Sequence, residues 1–292
     1  MPVDLSIIIV NFNTRDLTVN CIKSVINNTK DLRYEIILVD NASADGSLEA
    51  LSKFDIKIIR NSQNLGFSKA NNIGIKEASG KAILLLNSDT KTHNNSIKEA
   101  YLKLKEADIL TVKIKGEDGK NQQAGGFGPN LFNLFCWAFF LDDIPGLNRF
   151  IRPYQISDLS FFNQDRKVDW VMGAFFMMKR QVVKRIGVLD ENIFMYGEEM
   201  EYCRRARDDG FKIKYFSQPE IIHYGMGSSE SGEGAILGEY RALKYFFSKY
   251  GNKITNFIIG VIIKLSIILR IVMFSLFDKN KARIYEKAYK NI

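Results

Sequence analysis

Short, unbroken apolar runs recur along the N-terminal part of this chain, and asparagine or aspartate follows most of them. The clearest are Leu5–Val10, Tyr34–Val39, Ile83–Leu86 and Ile109–Ile114. Runs of this length without alternation are typical of strands buried on both faces of a parallel sheet. Helical segments lie between them, with connections of a few residues. The pattern therefore predicts an α/β fold with a mostly parallel, doubly wound sheet flanked by helices.

Polar side chains gather where these predicted strands end. They are Asn11, Asn13, Asp40, Asn41, Asn64 and Asp89. Any one of them alone is equally well explained as a helix cap or an Asx turn. As a set at the ligand-binding edge of an open α/β sheet, they suit ribose hydroxyls, base amides and a phosphate-bound metal. A G-x-G-x-x-G fingerprint and a Walker A loop are both missing, so we expect a nucleotide held in another way.

The second half of the chain supplies acidic groups and a histidine. Gly197 precedes a predicted helix that carries Glu198, Glu199 and Glu201 in its first turn. Glu201 is explained by an i,i+4 pair with Arg205, whereas Glu198 and Glu199 are better placed to face a cleft. Gly173, within the segment DWVMGAFFMMK, suggests a close backbone approach at a site. His223 is interpreted as a loop residue, structural unless a carboxylate joins it to bind Mn²⁺ or Mg²⁺.

The formal net charge of +8 is concentrated near the C-terminus. The basic residues there are Lys279, Lys281, Arg283, Lys287 and Lys290. We find no nucleic-acid motif, so this excess predicts contact with anionic lipid; a solvated basic tail is the alternative. Cys21, Cys136 and Cys203 lack metal-ligand spacing, which predicts reduced thiols in a cytosolic compartment. The start MPVDLSIIIV lacks the features of a secretory signal.

Two segments are unusually apolar. Residues 131–139 are apolar around nearly every face of a helix, which fits either a buried helix or a surface that meets lipid or a lipid-linked substrate. Ile254–Phe277 is long enough to span a bilayer but contains Lys264 and Arg270. We therefore favour a helix lying in the membrane interface, with a packed core helix and a true span as alternatives.

The motifs, taken in order, resemble glycosyltransferase family 2, the inverting enzymes of the GT-A fold. The matching segments are SIIIVNFNT, VDNASADGS, NLGFSKANN, LLLNSDT, VMGAFFMMKR, FMYGEEMEYCRR and HYGMGSS, which cover residues 3–230. The bacterial rhamnosyltransferase-like subgroup is the most similar. The resemblance implies a GT-A domain over residues 1–230, with a nucleotide-binding half (1–114) and an acceptor and catalytic half (115–230). We expect residues 231–292 to form a helical, membrane-associating extension.

The resemblance also implies roles for individual residues. The nucleotide-binding set would be Asn11, Asn13, Asp40, Asn41, Asn64, Gly66, Phe67, Asn71, Asn87, Ser88 and Asp89. Asp89 ends the segment that matches the DXD metal motif, and His223 would be the second ligand of a Mn²⁺ or Mg²⁺ ion. Glu199 stands where the family commonly has its catalytic aspartate, with Glu198 as the competitor. The donor sugar and acceptor would meet Trp170, Met172, Gly173 and Gly197.

The implied reaction is an inverting sugar transfer from a nucleotide-diphosphate donor to a hydroxyl of a lipid-linked glycan, in cell-surface polysaccharide assembly. dTDP-rhamnose is the preferred donor and a UDP-hexose the second. The protein would act at the cytoplasmic face of the membrane as a peripheral or monotopic enzyme. A homodimer is a possible oligomeric state. A nucleotidyltransferase is disfavoured because NFNTRD replaces a Gly-rich basic loop. A catalytically silent binding or scaffold subunit is the remaining rival.

Overall fold

A computed structural model describes residues 2–144, 146, 150–225 and 232–292. The chain divides into two compact units, residues 1–125 with 159–227 and residues 126–158 with 228–292. The expected boundary at residue 230 lies outside the described residues, as does Met226–Ser229 of the last matching motif. Residues 126–158, which the sequence interpretation placed in the acceptor half, group with the C-terminal helices.

The first unit is built around a nine-stranded sheet in the described part of the chain. Its strands are β1 Leu5–Asn11, β2 Tyr34–Asp40, β3 Lys57–Arg60, β4 Ala82–Asn87, β5 Thr90–Thr92, β6 Ile109–Lys115, β8 Arg166–Lys167, β10 Phe175–Lys179 and β11 Ile213–His223. Two short strands lie outside this sheet, β7 Gly125–Gly126 and β9 Trp170–Val171. The order is β3-β2-β1-β4-β10-β6-β11-β5, and β8 also pairs with β11.

Helices follow most of these strands. In the first unit they are α1 Arg15–Asn28, α2 Ser47–Leu51, α3 Gly66–Glu77, α4 Ser96–Lys103, α6 Arg180–Ile186 and α7 Glu198–Asp208. The apolar runs of β1, β2 and β4 are buried along nearly their whole length, as expected for strands covered on both faces. Gly74 of α3 lets that helix approach the sheet closely, because a Cβ there would lie 2.5 Å from Ile8 Cγ2.

The predicted α/β architecture is confirmed, and the sheet is parallel where the apolar runs lie. Strand β10 enters between β4 and β6 and runs antiparallel to both. The three-residue strand β5, which we did not predict, pairs antiparallel with β11 at the sheet edge. Strand β11 continues through an irregularity between Phe216 and Glu220. His223 therefore ends a strand, and its interpretation as a loop residue was wrong.

The second unit is helical in its described part. Its helices are α5 Leu131–Ala138, a 3-10 turn at Leu141–Asp143, α8 Glu233–Tyr250, α9 Lys253–Phe277 and α10 Lys279–Asn291. Asn130 and Asn133 cap the start of α5 reciprocally, each side chain accepting from the other's backbone N–H. The C-terminal basic segment is thus a helix, and its Tyr285 stacks on Phe274 of α9.

Helix α9 has one buried and one exposed apolar face. It is the one helix in the described ranges that is long and apolar enough to cross a membrane, with a third of its most apolar window buried inside the protein. Arg270 is 5% exposed and lies on the buried face. Its guanidinium donates to the carbonyls of Ala138 and Trp137 at 3.0 and 3.2 Å, and to Ser266 Oγ. The charge at this position is therefore satisfied by protein groups.

Candidate active site

The carboxyl ends of β1, β2 and β4 lie side by side in the first unit. Asn11 is the register partner of Asp40, and Asn87 is the partner of Val10 on the other side of β1. The three polar residues thus reach the same edge of the sheet, where open α/β sheets bind ligands.

Asn11 and Asp40 bind each other and hold the loop that follows β2. Asn11 Nδ2 donates to Asp40 Oδ1 at 2.7 Å and to Ser43 Oγ at 2.9 Å, and Asn11 is fully buried. Asn13 has a φ of 53°, a left-handed conformation that asparagine tolerates, and its Oδ1 accepts from Ala44 N at 2.8 Å. Hydrogen bonds among these side chains and the loop after β2 thus fix the shape of the sheet edge where β1 and β2 end.

A second asparagine network holds the entry to α3. Asn41 Nδ2 donates to Asn64 Oδ1 at 3.1 Å and to the Gly66 carbonyl at 3.3 Å. Gly66 has a φ of +80°, and a Cβ there would lie 2.5 Å from the Phe194 carbonyl oxygen, so both conformation and space require glycine. Phe67 N donates to the same carbonyl at 2.7 Å.

Residues 87–89 differ in how their side chains are engaged. Asn87 Oδ1 is buried and has no hydrogen-bond partner among the described residues. Ser88 Oγ lies 3.1 Å from Thr14 Oγ1. Asp89 is 3% exposed, and its Oδ1 lies 3.3 Å from His223 Nε2 at the end of β11. The structure therefore brings together the two side chains expected to share a metal.

The donor set of Asp89 and His223 fits a divalent ion. Carboxylate oxygen and imidazole nitrogen both suit Mn²⁺, and carboxylate oxygen suits Mg²⁺. Across residues 2–144, 146, 150–225 and 232–292 there is no group of three or more His, Cys, Asp or Glu side chains arranged for a metal. An ion held here would therefore take its other ligands from water or a bound diphosphate, which is how Mg²⁺ is usually bound.

Glu199 lies in the first turn of α7, half-buried and close to the turn between β9 and β10. Burial raises the pKa of Glu199 above the usual glutamate range, while hydrogen bonds from the backbone N–H groups of Gly173 and Gly197 act in the opposite direction. A Cβ on Gly173 would lie 3.7 Å from the Phe67 ring and 3.9 Å from Glu199 Oε1. The close backbone approach that the sequence suggested at Gly173 is thus the hydrogen bond from the Gly173 N–H to the Glu199 carboxylate. Asn71 helps to hold Phe67 in place, since its Nδ2 donates to the Phe67 carbonyl at 3.0 Å.

Glu198 is more deeply buried than Glu199, at 5% exposed. The Oε2 atoms of both glutamates lack a hydrogen-bond partner in the part of the chain that the structure describes. Burial raises the pKa of Glu198 well above its ordinary value, and the negative charge of Glu199 adds to this. Both effects disfavour the carboxylate form of Glu198 relative to an exposed glutamate. Glu201 is confirmed as structural, because it is fully buried and pairs with Arg205 at 2.9 Å.

Two further predicted site residues lie on the segment that leads to Gly173. Trp170, in β9, is buried. Met172 is half-buried, and its N–H donates to the Ala124 carbonyl at 2.9 Å. Ala174 then accepts from Asn87 N at 3.1 Å, which ties this segment to the end of β4. The base candidate and the Asp89–His223 pair are therefore connected through neighbouring backbone in one unit.

Sequence reasoning missed Gln122, which contacts His223. Gln122 lies in a polar, Gly-rich stretch, residues 115–128. Its side chain makes hydrogen bonds with both the ring and the carbonyl of His223, a residue 101 positions away. A glutamine in such a stretch carries no local signal of this contact.

Comparison with known proteins adds the family. Residues 6–187 match the family described as Glycosyl transferase family 2. The low-salt glycan biosynthesis hexosyltransferase Agl10 of Haloferax volcanii is 29% identical over 228 residues, which make up 75% of this chain and 67% of that relative. The N-acetylglucosaminyl-diphospho-decaprenol L-rhamnosyltransferase of Mycobacterium tuberculosis is 24% identical over 228 residues, 73% of each chain.

Solved structures agree on the fold. TarS from S. aureus, residues 1–349, superposes with a TM-score of 0.56 at 17% identity, covering 98% of this chain and 81% of that chain. GalNAc-T7 with UDP, GalNAc and Mn²⁺ gives a TM-score of 0.57 at 17% identity, covering 85% of this chain and 50% of that one. The first unit thus has the GT-A type of α/β fold.

Proposed function

Since the chain belongs to glycosyl transferase family 2, we propose that it is an inverting glycosyltransferase that moves a sugar from a nucleotide-diphosphate donor to a hydroxyl of a lipid-linked glycan. One observation carries the proposal. The Asp89–His223 pair lies at the carboxyl-end edge of the sheet, and Glu199 lies against Gly173, whose neighbour Ala174 accepts from Asn87 N at that edge. In this proposal, residues 1–114 hold the nucleotide. The part of residues 115–230 that belongs to the first unit supplies the general base, Glu199.

The reaction is a single displacement. Glu199 takes the proton of the acceptor hydroxyl as that oxygen attacks the anomeric carbon. The new glycosidic bond forms on one face while the bond to the diphosphate breaks on the other, and the nucleoside diphosphate leaves with the electron pair. A positioned general base contributes about 10²–10⁴-fold in rate. Asp89 and His223 would hold the divalent ion, whose chemistry when bound is Lewis-acid stabilisation of the leaving diphosphate.

Two nucleotide sugars are candidate donors, and one comparison with a known protein supports each of them. The L-rhamnosyltransferase of M. tuberculosis, 24% identical, supports rhamnose as the transferred sugar. TarS, which has been solved with UDP-GlcNAc, superposes with a TM-score of 0.57 and supports a UDP-hexose. Asn41 and Asn64 are at the edge where the nucleobase of the donor would lie. Their side-chain amides are hydrogen-bonded to one another at 3.1 Å, so they do not favour one nucleobase over the other. We retain dTDP-rhamnose as the first donor to test.

A donor screen by thermal unfolding, with Mn²⁺ present, tests the function. A true donor at 100 times its Kd stabilises the protein by about 2.7 kcal/mol, and it should raise Tm by several degrees only in the presence of the ion. Adding a lipid-linked acceptor should then release nucleoside diphosphate. A donor that binds but releases no nucleoside diphosphate with any acceptor would instead support the catalytically silent scaffold.

We propose in addition that the second unit places the enzyme on the cytoplasmic face of the membrane. Helix α9 carries an exposed apolar stripe at helical spacing: Ile254, Phe257, Ile258, Val261, Leu265, Ile268, Leu269, Val272 and Leu276. Helix α10 adds the basic residues that favour anionic lipid, and Arg270 is turned inward. These features support a helix lying in the interface, as do Phe132 and Phe135 exposed on α5.

The double variant Phe257→Glu/Val272→Glu tests membrane association. Both side chains are exposed, at 73% and 59%, so the fold should tolerate the change. Each inserted apolar side chain is worth about 1.5–3 kcal/mol, so partition onto vesicles containing anionic lipid should fall on the order of 100-fold or more. Flotation measures it. Leu102→Glu, on the 48%-exposed Leu102 of α4, is the matched control. Equal flotation of the double variant and the wild type would refute the anchor.

A further inference from the structure

Gln122 reaches His223 from the loop that follows β6. Its backbone N–H donates to the Ile114 carbonyl at 2.8 Å, and Lys115 and Asn121 form a bridge across the base of this loop. Gln122 is thereby held beside the end of β11. Its amide makes two hydrogen bonds of 2.9 Å with the one residue, Nε2 with the His223 carbonyl oxygen and Oε1 with His223 Nδ1.

Hydrogen-bond roles fix the proton on the imidazole. A carbonyl oxygen can only accept, so the amide nitrogen of Gln122 must face the His223 carbonyl. The amide oxygen of Gln122 therefore faces Nδ1, and since that oxygen also only accepts, Nδ1 must carry the hydrogen. In the neutral ring the lone pair is then on Nε2.

Nε2 is the ring atom that faces Asp89. The distance from Nε2 to Asp89 Oδ1 is 3.3 Å, and both side chains are largely buried. When the ring is neutral, its Nε2 lone pair and an oxygen of the ionised Asp89 carboxylate, which can only accept hydrogen bonds, present two electron-pair donors to one place. A cation is the partner that such an arrangement suits.

We infer that Gln122 is a positioning residue, which selects the Nδ1–H tautomer of His223 and aims Nε2 as a metal ligand together with Asp89. This inference rests on the proposed function, in which these two residues hold the divalent ion. Hydrogen-bond partners behind a ligating histidine fix its tautomer and ring orientation, and losing one typically costs about 10–100-fold in metal affinity. Gln122 would do so without touching the ion or the substrate.

Two substitutions at Gln122 separate positioning from packing. Gln122→Leu fills similar space but cannot accept from Nδ1, so the Kd for Mn²⁺ alone, measured by electron paramagnetic resonance, should rise about 10–100-fold. Gln122→Glu keeps an oxygen that accepts from Nδ1–H but loses the donor to the His223 carbonyl, so its loss of Mn²⁺ affinity should be smaller than that of Gln122→Leu. Gln123→Leu, at the next position, is the matched control and should bind Mn²⁺ as wild type does.

Nitrogen-15 NMR of the histidine-labelled protein with Mg²⁺ reads the tautomer directly. His93→Gln removes the other histidine and so assigns the signals of His223. We expect Nδ1–H in the wild type and in Gln122→Glu, and a shift toward Nε2–H in Gln122→Leu. A purely structural role for Gln122 would lower the Tm of Gln122→Leu without moving the tautomer.

The outcomes distinguish this inference from the function on which it rests. If Asp89→Asn weakens Mn²⁺ binding but Gln122→Leu does not, the positioning role is overturned and the metal pair stands. A wild-type His223 that carries its proton on Nε2 in Mg²⁺ overturns the positioning role as well. If Asp89→Asn binds Mn²⁺ as tightly as wild type, both the metal pair and the role of Gln122 fall.

Discussion

Glu199→Gln is expected to lower kcat by about 10²–10⁴-fold while leaving donor binding nearly unchanged. Glutamine has the size of glutamate and its Oε1 can still accept from the N–H groups of Gly173 and Gly197, which hold the carboxylate now. It cannot take a proton from an acceptor hydroxyl. Release of nucleoside diphosphate measures kcat, and calorimetry with the donor measures binding.

Glu198→Gln is the matched control one residue away. Burial and the neighbouring Glu199 both raise the pKa of Glu198, so its carboxylate form is disfavoured. A neutral amide of the same shape should therefore preserve most activity. If Glu198→Gln is inactive and Glu199→Gln turns over normally, the base is Glu198.

The pH profile provides an independent check on Glu199. A general base works only when ionised, and burial raises the pKa of Glu199. Activity should therefore be lost, as pH falls, at a higher pH than for an ordinary glutamate. This acid limb of kcat/KM should vanish from the residual activity of Glu199→Gln. An unchanged limb would assign it to another group.

The central sheet was predictable because burial on both faces leaves a plain mark in the sequence. β1, β2 and β4 appear as unbroken apolar runs, and their polar ends lie at one edge as expected. The antiparallel entry of β10 left no such mark. The pairing of β10 with β4 and β6 depends on tertiary contacts. The local sequence pattern does not encode such contacts.

His223 shows where local signals mislead. Pro219 lacks the N–H that a strand residue donates to the ladder, so it interrupts the local strand pattern before His223. The structure absorbs Pro219 in the irregularity between Phe216 and Glu220, and β11 resumes between β6 and β5. The side chains of the candidate site could thus be proposed from the sequence, whereas most of their hydrogen-bond partners could not. Asn11 illustrates this, because its amide is engaged by Asp40 and Ser43 from distant positions.

Asp89→Asn is expected to remove the metal-dependent part of donor affinity. The amide that replaces the carboxylate would keep the shape of the side chain but lose the charge that faces His223 Nε2 at 3.3 Å. Losing an outer partner of a metal site costs about 10–100-fold in affinity, and removing a ligand itself should cost at least as much. Calorimetry should show weaker donor binding in Mn²⁺ and equal binding of both proteins in excess chelator.

The chelator comparison makes the result specific to the ion. A variant that had merely lost its fold would bind the donor poorly in both conditions, whereas loss of a ligand shows only with Mn²⁺ present. Asp31→Asn, which alters an exposed carboxylate paired with Lys98 at 3.1 Å, controls for the loss of one negative charge. Its side chain is 81% exposed, so both affinities should match wild type. Donor affinity in Mn²⁺ that is unaffected by Asp89→Asn would remove Asp89 from the metal site and leave His223 without a carboxylate partner there.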